Sequence, residues 1–267
     1  EGPGEVTAVD ATQVTVKYDE GETKTYKLTK FLRSIGIRKP GKILEDIREK
    51  SVKELSDGVD EAFNFDHFKW QKEQNLHIDE PFRADGLSRI LYKCAHCGAE
   101  GHMEGKGIHL TCHSCGKQYE LTETGFMKAT DGDTRFDHIP DWFNWERKQV
   151  SDEIDRGEYF YQTEVEVKSL PRIFRYIPLG KATLTHDPKE GFTLEGHYRG
   201  QRWYIHRECA QTNSLHVEYE FAPLQDKDLI DISTENDSFY CFIPEPGRIT
   251  KLAFATEELY LRSQKKA

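Results

Sequence analysis

The chain has 267 residues, 36% of them hydrophobic, with 37 Lys and Arg against 47 Asp and Glu for a net charge of −10. That length is enough for two or three small domains, and the acidic balance argues against nucleic acid as a bulk partner, which selects a basic face. No apolar run approaches the roughly 20 residues that a membrane span needs, and no secretory signal opens the sequence. Six cysteines, four in closely spaced pairs and two isolated (Cys209 and Cys241), point to a reducing, cytoplasmic compartment. A start at Glu1-Gly-Pro-Gly without Met is what a fragment of a longer chain would show.

Residues 5–31 alternate with a period of two. Val6, Ala8, Val14, Val16 and Tyr18 fall on one side, and Asp19-Glu-Gly-Glu22 marks a turn before Thr23, Thr25 and Leu28. This predicts a β-hairpin or small meander. From Pro40 to about Asn75 the period changes to helical, with Ile43, Leu44, Ile47, Val52, Leu55, Val59 and Phe63 three or four residues apart among charges. Pro40 suits a first turn and Gly58 a break. Phe63, Phe65, Phe68 and Trp70 are expected to be packing residues, and residues 76–93 to run extended into the next module.

That module is organised by Cys94-Ala-His-Cys97-Gly98 and, fourteen residues on, Cys112-His-Ser-Cys115-Gly116. Two C-x-x-C pairs at this separation can bring four sulfurs to one tetrahedral ion, and Zn2+ fits their thiolate chemistry best. Gly98 and Gly116 supply the positive φ that a loop wrapping a metal needs. The residues between the pairs can form a hairpin, making the unit a zinc ribbon. His96, His102, His109 and His113 offer substitutes for a cysteine, but four thiols in register favour an all-cysteine site. Four cysteines close the coordination shell, so a structural role is expected. Lys93, Lys106, Lys117, His96 and His113 are placed in sequence to offset the thiolate charge.

After it, Pro140 to Asp155 reads as a helix ended by Gly157, with Trp142, Phe143 and Trp145 packing it on a neighbour. Seven strands are predicted near 159–169, 180–186, 191–197, 202–207, 215–221, 228–233 and 238–243, followed by a helix over Ile249–Arg262. Seven short strands and one C-terminal helix have the layout of a pleckstrin-homology or GRAM-like barrel. An eight-stranded barrel and a two-sheet sandwich compete with it. The fold class expected is α+β: a hairpin segment (1–36), a helical segment (37–78), a zinc ribbon (79–128), a helical linker (129–157) and the β module (158–267).

Two resemblances accompany these patterns. Gly4 to Val16 and Tyr26-Lys-Leu-Thr-Lys-Phe-Leu-Arg-Ser34 resemble a short segment of the bacterial RNA polymerase β subunit, without the stretch that follows in that family. Several later blocks are Glu80-Pro-Phe-Arg-Ala-Asp-Gly-Leu, the ribbon with Gly101-His-Met-Glu-Gly-Lys-Gly, His138-Ile-Pro-Asp-Trp142 and Ala255-Thr-Glu-Glu-Leu-Tyr260. Together they resemble the C-terminal extension of bacterial lysophosphatidic acid acyltransferases, over roughly residues 50–263. This implies an accessory region of phospholipid biosynthesis, not a catalytic domain. The family's chemistry needs a general-base His with Asp five positions later, and none of the eleven histidines has one.

One segment suggests an anionic ligand. Lys168, Arg172, Arg175 and Lys181 lie with Phe174, Tyr176 and Ile177 in a stretch without acids, between the first two strands of the β module. A basic, partly apolar loop suits an anionic membrane surface, while a solvated loop tucking its apolar residues inward is the plainer alternative. Asp226, Asp228 and Asp231 read as strand-edge acids facing water. Ser233 and His206 show no recognisable partner, and Cys209 is opposed by Glu208. The expected function is a non-catalytic accessory region that positions itself, peripherally at the membrane, against lipid or an acyltransferase domain. A nucleic-acid or transcription adaptor is the alternative.

Overall fold

The computed structural model describes residues 4–9, 13–18, 23–27, 50–171, 175–221, 227–245 and 247–265. The chain divides into two compact units, residues 1–66 and 67–267. In the first, β1 (Gly4–Val9), β2 (Gln13–Tyr18) and β3 (Thr23–Lys27) form an antiparallel meander in that order. Val14 and Val16 are buried, as alternation predicts. The same unit holds helix α1 (Val52–Phe63), opened by a capping box in which Ser51 and Glu54 satisfy each other's backbone N–H groups.

The helical expectation needs correction here. Gly58 lies inside α1, and the break comes at residues 64–66, before the seven-residue α2 (His67–Glu73). Phe63 (85% exposed), Phe65 (58%) and Trp70 (40%) are not core residues; only Phe68 packs against a cluster. A helical period defines an apolar face but supplies no surface to cover it. The part of the predicted helix around Pro40, Ile43, Leu44 and Ile47 lies outside the described residues.

The second unit contains two antiparallel sheets. Residues 76–93 lead into it through successive turns and a 3-10 turn at Leu87–Arg89, not as an extended run. The smaller sheet has the order β4 (Met103–Lys106), β5 (His109–Cys112), β6 (Gln118–Leu121) and β7 (Met127–Ala129). Leu91, Leu110, Tyr119, Met127 and Trp142 form its core.

The larger sheet is seven-stranded: β8 (Tyr161–Ser169), β9 (Ile177–Asp187), β10 (Gly191–Tyr198), β11 (Gln201–Arg207), β12 (His216–Phe221), β13 (Lys227–Ser233) and β14 (Ser238–Phe242). Its order is β11-β10-β9-β8-β14-β13-β12, all antiparallel, so β8 joins a four-stranded meander to a three-stranded one. Each of the seven expected strands is present. The first ends at Ser169 as anticipated and the second starts earlier, at Ile177, so Lys168 and Lys181 lie on the ladder at the two ends of the basic stretch.

Two helices tie the sheets together. Helix α3 (Ile139–Asp155) begins with Pro140 in its first turn, and α4 (Arg248–Gln264) starts after Gly247, a left-handed cap lying close to Tyr92. Ile249 and Leu252 of α4 enter the core of the large sheet with Val167, Leu184 and Ile230. Its Phe254, Ala255 and Leu259 pack on Val150 and Ile154 of α3 and on Tyr92. The two faces of one helix therefore bury against two different cores. Phe143 and Phe254 meet edge to face at 4.7 Å.

Helix α3 also fixes the approach to the first cysteine. Trp142, fully buried, donates its Nε1–H to the carbonyl of Lys93 (3.0 Å), and Glu146, one turn later, accepts the N–H of the same residue (2.8 Å). One peptide segment is thus gripped from both sides by positions i and i+4 of a helix. Burial pushes the Glu146 carboxyl up to about 9, with the Glu100 charge acting in the same direction and the Lys93 N–H and ammonium opposing it. An unfolded chain would release this proton near the ordinary value of 4.5, whereas the folded chain keeps it. Stability therefore falls as pH rises between those values. Glu146→Gln keeps an acceptor for Lys93 and cannot ionise. The variant should gain on the parent from pH 6 to pH 8 by up to about 1.4 kcal/mol per unit, measured by denaturant unfolding; a gap that stays constant would refute the assignment.

Candidate metal centre

The first cysteine loop is closed by an isolated bridge between Lys93 and Glu100 and by Gly98 N–H to the Cys94 carbonyl (2.9 Å). The second repeats the device, with Gly116 N–H to the Cys112 carbonyl at 2.8 Å. Gly98 and Gly116 adopt φ of +76° and +75°, the left-handed conformation expected of them. The two loops face each other, so that Cys94, Cys97, Cys112 and Cys115 place all four sulfurs within 4.8 Å of one another.

The spacing identifies what these sulfurs can hold. Sγ of Cys94 and Cys115 are 3.8 Å apart, as are those of Cys97 and Cys112. Four sulfurs about 2.3 Å from a central ion at tetrahedral angles lie about 3.8 Å from each other, whereas a disulfide needs about 2.05 Å. The residues present fit a closed four-thiolate metal site. No histidine joins the cluster among the described residues.

The charge compensation differs from the sequence expectation. Lys93 pairs with Glu100 (3.1 Å) and Glu153 (3.6 Å), Lys117 with Asp131 (3.2 Å), and His113 with Glu104 (2.9 Å). These cations are engaged by carboxylates. The groups that address the sulfurs are backbone amides: His96 and Cys97 toward Cys94, Ala99 toward Cys97, and Lys117 toward Cys115. Amide dipoles in the two loops favour thiolate without adding an ion of their own. The pattern that could have revealed them is the C-x-x-C-G turn itself.

Around the first loop lies a partly buried ion network. Glu100 receives Lys251 Nζ (2.9 Å), Lys93 Nζ (3.1 Å) and Arg248 (3.1 Å), and Glu153 receives Lys251 at 2.6 Å. Although burial opposes it, Lys251 and Lys93 hold the Glu100 carboxyl below its ordinary value. The network joins three elements: the loop (Lys93, Glu100), α3 (Glu153) and α4 (Arg248, Lys251). In addition, Thr250 donates its hydroxyl to the Arg89 carbonyl (2.6 Å), and Arg89 pairs with Asp228 (3.1 Å) and Glu220 (2.7 Å). Asp228 is therefore a structural partner and not a water-facing edge acid.

Lys168 is half-buried, with Nζ 5.4 Å from the centre of the Phe242 ring, and Lys181 pairs with Glu164 (2.5 Å) on the surface. Arg175 is exposed, and Arg172 and Phe174 lie outside the described residues, as does Asp226. His206 bonds the Glu190 carbonyl through Nε2 (2.7 Å), and Ser233 contacts Ser238 (2.8 Å) and Asp231 (3.1 Å). Burial, with Asp187 adding to it, pushes the Cys209 thiol up, so it is a poor nucleophile. His186 is buried against the Phe192 ring at 3.8 Å and accepts from the Tyr159 hydroxyl (2.8 Å); burial lowers its pKa to about 3 and keeps it neutral.

Burial also pushes the Cys94 thiol up to about 12 when no ion is present, so it is protonated at neutral pH and a metal must displace that proton. Zinc affinity should accordingly rise from pH 6 to pH 8, read by competition with a chromogenic chelator. Metal analysis should give about one zinc per chain, and Cys112→Ala should lose it together with the tertiary signal of residues 67–267, since binding supplies on the order of 10 kcal/mol or more. A metal-free chain with an unchanged near-UV signal would refute the structural role.

Comparison with protein-family models, with curated proteins and with solved structures returned no match.

Proposed function

We propose that residues 67–267 are a non-catalytic accessory module in which a structural zinc ribbon is locked to a pleckstrin-homology or GRAM-like β module, and that its task is to position a partner enzyme of the phospholipid acyltransferase class. The observation that carries this reading is the pairing of a closed thiolate centre with the ion network from Lys93 and Glu100 to Arg248 and Lys251. All four coordination positions are taken by protein, leaving none for substrate, and the network makes the centre a brace between two sheets. The strand order, with β8 joining two meanders and a C-terminal helix packed across them, supports the barrel reading of the β module.

A protein partner is favoured over an anionic membrane surface by local charge. Glu164 and Glu166 share the surface of Lys181 and Lys168, pairing with Lys181 and Lys227. They also line a cleft of about 850 Å³ whose walls include Glu104, Glu220, Asp228 and Glu245 against Arg89, Lys106 and Lys227. A phosphate headgroup approaching Lys181 meets these carboxylates as well. No helix among the described residues is long and apolar enough to cross a membrane.

Vesicle sedimentation separates the two. If Lys168, Arg175 and Lys181 faced lipid freely, about 1 kcal/mol each would give on the order of 100-fold preference for anionic over neutral vesicles. The expected result is a preference far smaller than that, unchanged by Arg175→Glu, together with a stable complex in gel filtration with an acyltransferase domain bearing the His-x-x-x-x-Asp motif. Strong anionic-vesicle binding abolished by Lys168→Glu and Arg175→Glu would overturn the reading in favour of lipid.

A further inference from the structure

The four cysteines are not equivalent toward solvent. Cys94 and Cys112 are buried, whereas Cys97 and Cys115 are exposed. Each exposed sulfur has a buried one 3.8 Å away, Cys112 beside Cys97 and Cys94 beside Cys115. A solvent-borne oxidant can therefore reach one member of each cross-loop pair, and the other member stands ready to resolve the product.

The first loop has little freedom to absorb such a reaction. Forming a disulfide would shorten a 3.8 Å separation by about 1.8 Å. Yet the loop ends are Lys93 and Glu100, whose backbones bridge each other and whose side chains are held by Glu153, Arg248 and Lys251. Trp142 and Glu146 grip the Lys93 peptide as well. Lys251 is only 8% exposed, so the pairs it makes with Glu100 and Glu153 are short, desolvated and geometrically demanding. Displacing Glu100 leaves the α4 cations without their shared partner.

We propose that the centre is an oxidation-responsive clasp, in which a peroxide converts Cys97 and Cys115 to disulfides with their cross-loop partners and so unlatches α4 from the cysteine module. The proposal rests on the metal reading above. In the first step the exposed thiolate attacks the peroxide O–O bond; one oxygen stays on sulfur as a sulfenic acid, and the other leaves as hydroxide and is protonated to water. In the second, the neighbouring thiolate attacks that sulfur, the S–S bond forms, and the S–O bond breaks to release a second water after protonation. The two sulfurs have lost two electrons and the peroxide has gained them. A disulfide sulfur is a poor metal ligand, so two of four donors are lost with each bond made. A small thiol restores the site by exchange.

The test uses the zinc-loaded full chain and hydrogen peroxide, with three readouts: zinc released to a chromogenic chelator, disulfides mapped by mass spectrometry, and tryptic cleavage after Lys93, Arg248 and Lys251. The expected result is loss of about one zinc per chain, a Cys97–Cys112 or Cys94–Cys115 disulfide, and new cleavage at the α4 sites, all reversed by dithiothreitol and zinc. Lys251→Met should still release zinc and form the disulfide, but with cleavage after Arg248 no longer dependent on peroxide. Zinc retained under peroxide, or zinc lost with cleavage in α4 unchanged, would overturn the clasp while leaving the metal reading intact. Protein that purifies without zinc would overturn the metal reading and the clasp with it.

Discussion

The carboxylate of Glu100 is the point on which residues 67–267 turn. It sits three residues beyond Cys97 and accepts from Lys93, Arg248 and Lys251, so the end of a cysteine loop is bonded directly to the helix that packs on the large sheet. Charges this poorly hydrated gain little over an apolar contact when all partners are present, because desolvation offsets most of the attraction. Their effect lies in the cost of error. Removing one member strands the others in a low-dielectric site, typically at about 3–5 kcal/mol. Apolar packing of Tyr92, Phe254 and Leu259 supplies cohesion around it but would tolerate sliding.

The cysteine loops meet a second electrostatic demand, that of any ion held by their four sulfurs, by different means. Four thiolates around a divalent ion carry excess negative charge, and nearby lysines would be the obvious remedy. Here Lys93 and Lys117 are committed to Glu100 and Asp131, and the loop amides of His96, Cys97, Ala99 and Lys117 turn toward sulfur instead. Fixed dipoles cost no side-chain ordering and leave Lys93 free to serve the network. One short loop can thereby bind an ion at its tip and a helix at its base.

Much of this was legible in the residues, and the failures have physical causes. The cysteine spacing predicts that four sulfurs converge, because two C-x-x-C pairs at this separation can face one point, and the sulfurs do converge. The seven strands of the larger sheet announce themselves by alternation and by turns such as Arg199-Gly200, because one face of each strand meets a core. The ion network was not visible. Lys93, Glu100, Glu153 and Lys251 look like solvated charges in sequence, and only the meeting of three distant segments buries them. Asp228 was misread for the same reason, since its partner Arg89 is 139 positions away. Phe63 and Trp70 show the opposite error: large apolar side chains suggest burial, but burial belongs to a pair of surfaces and a sequence period describes only one.

Helix α4 shows why these features belong together. Its Ile249 and Leu252 pack in the core of the large sheet, its Phe254 and Leu259 on α3, and its Arg248 and Lys251 pair with the first cysteine loop. Residues 248–254 therefore answer to two cores and one ion network within about two turns. A helix packed against two cores and an ion network transmits displacement instead of absorbing it, because close-packed interfaces shift as units and not by gradual deformation. A change in the geometry of the first cysteine loop is felt by α4 through Glu100, which is bonded to Arg248 and Lys251.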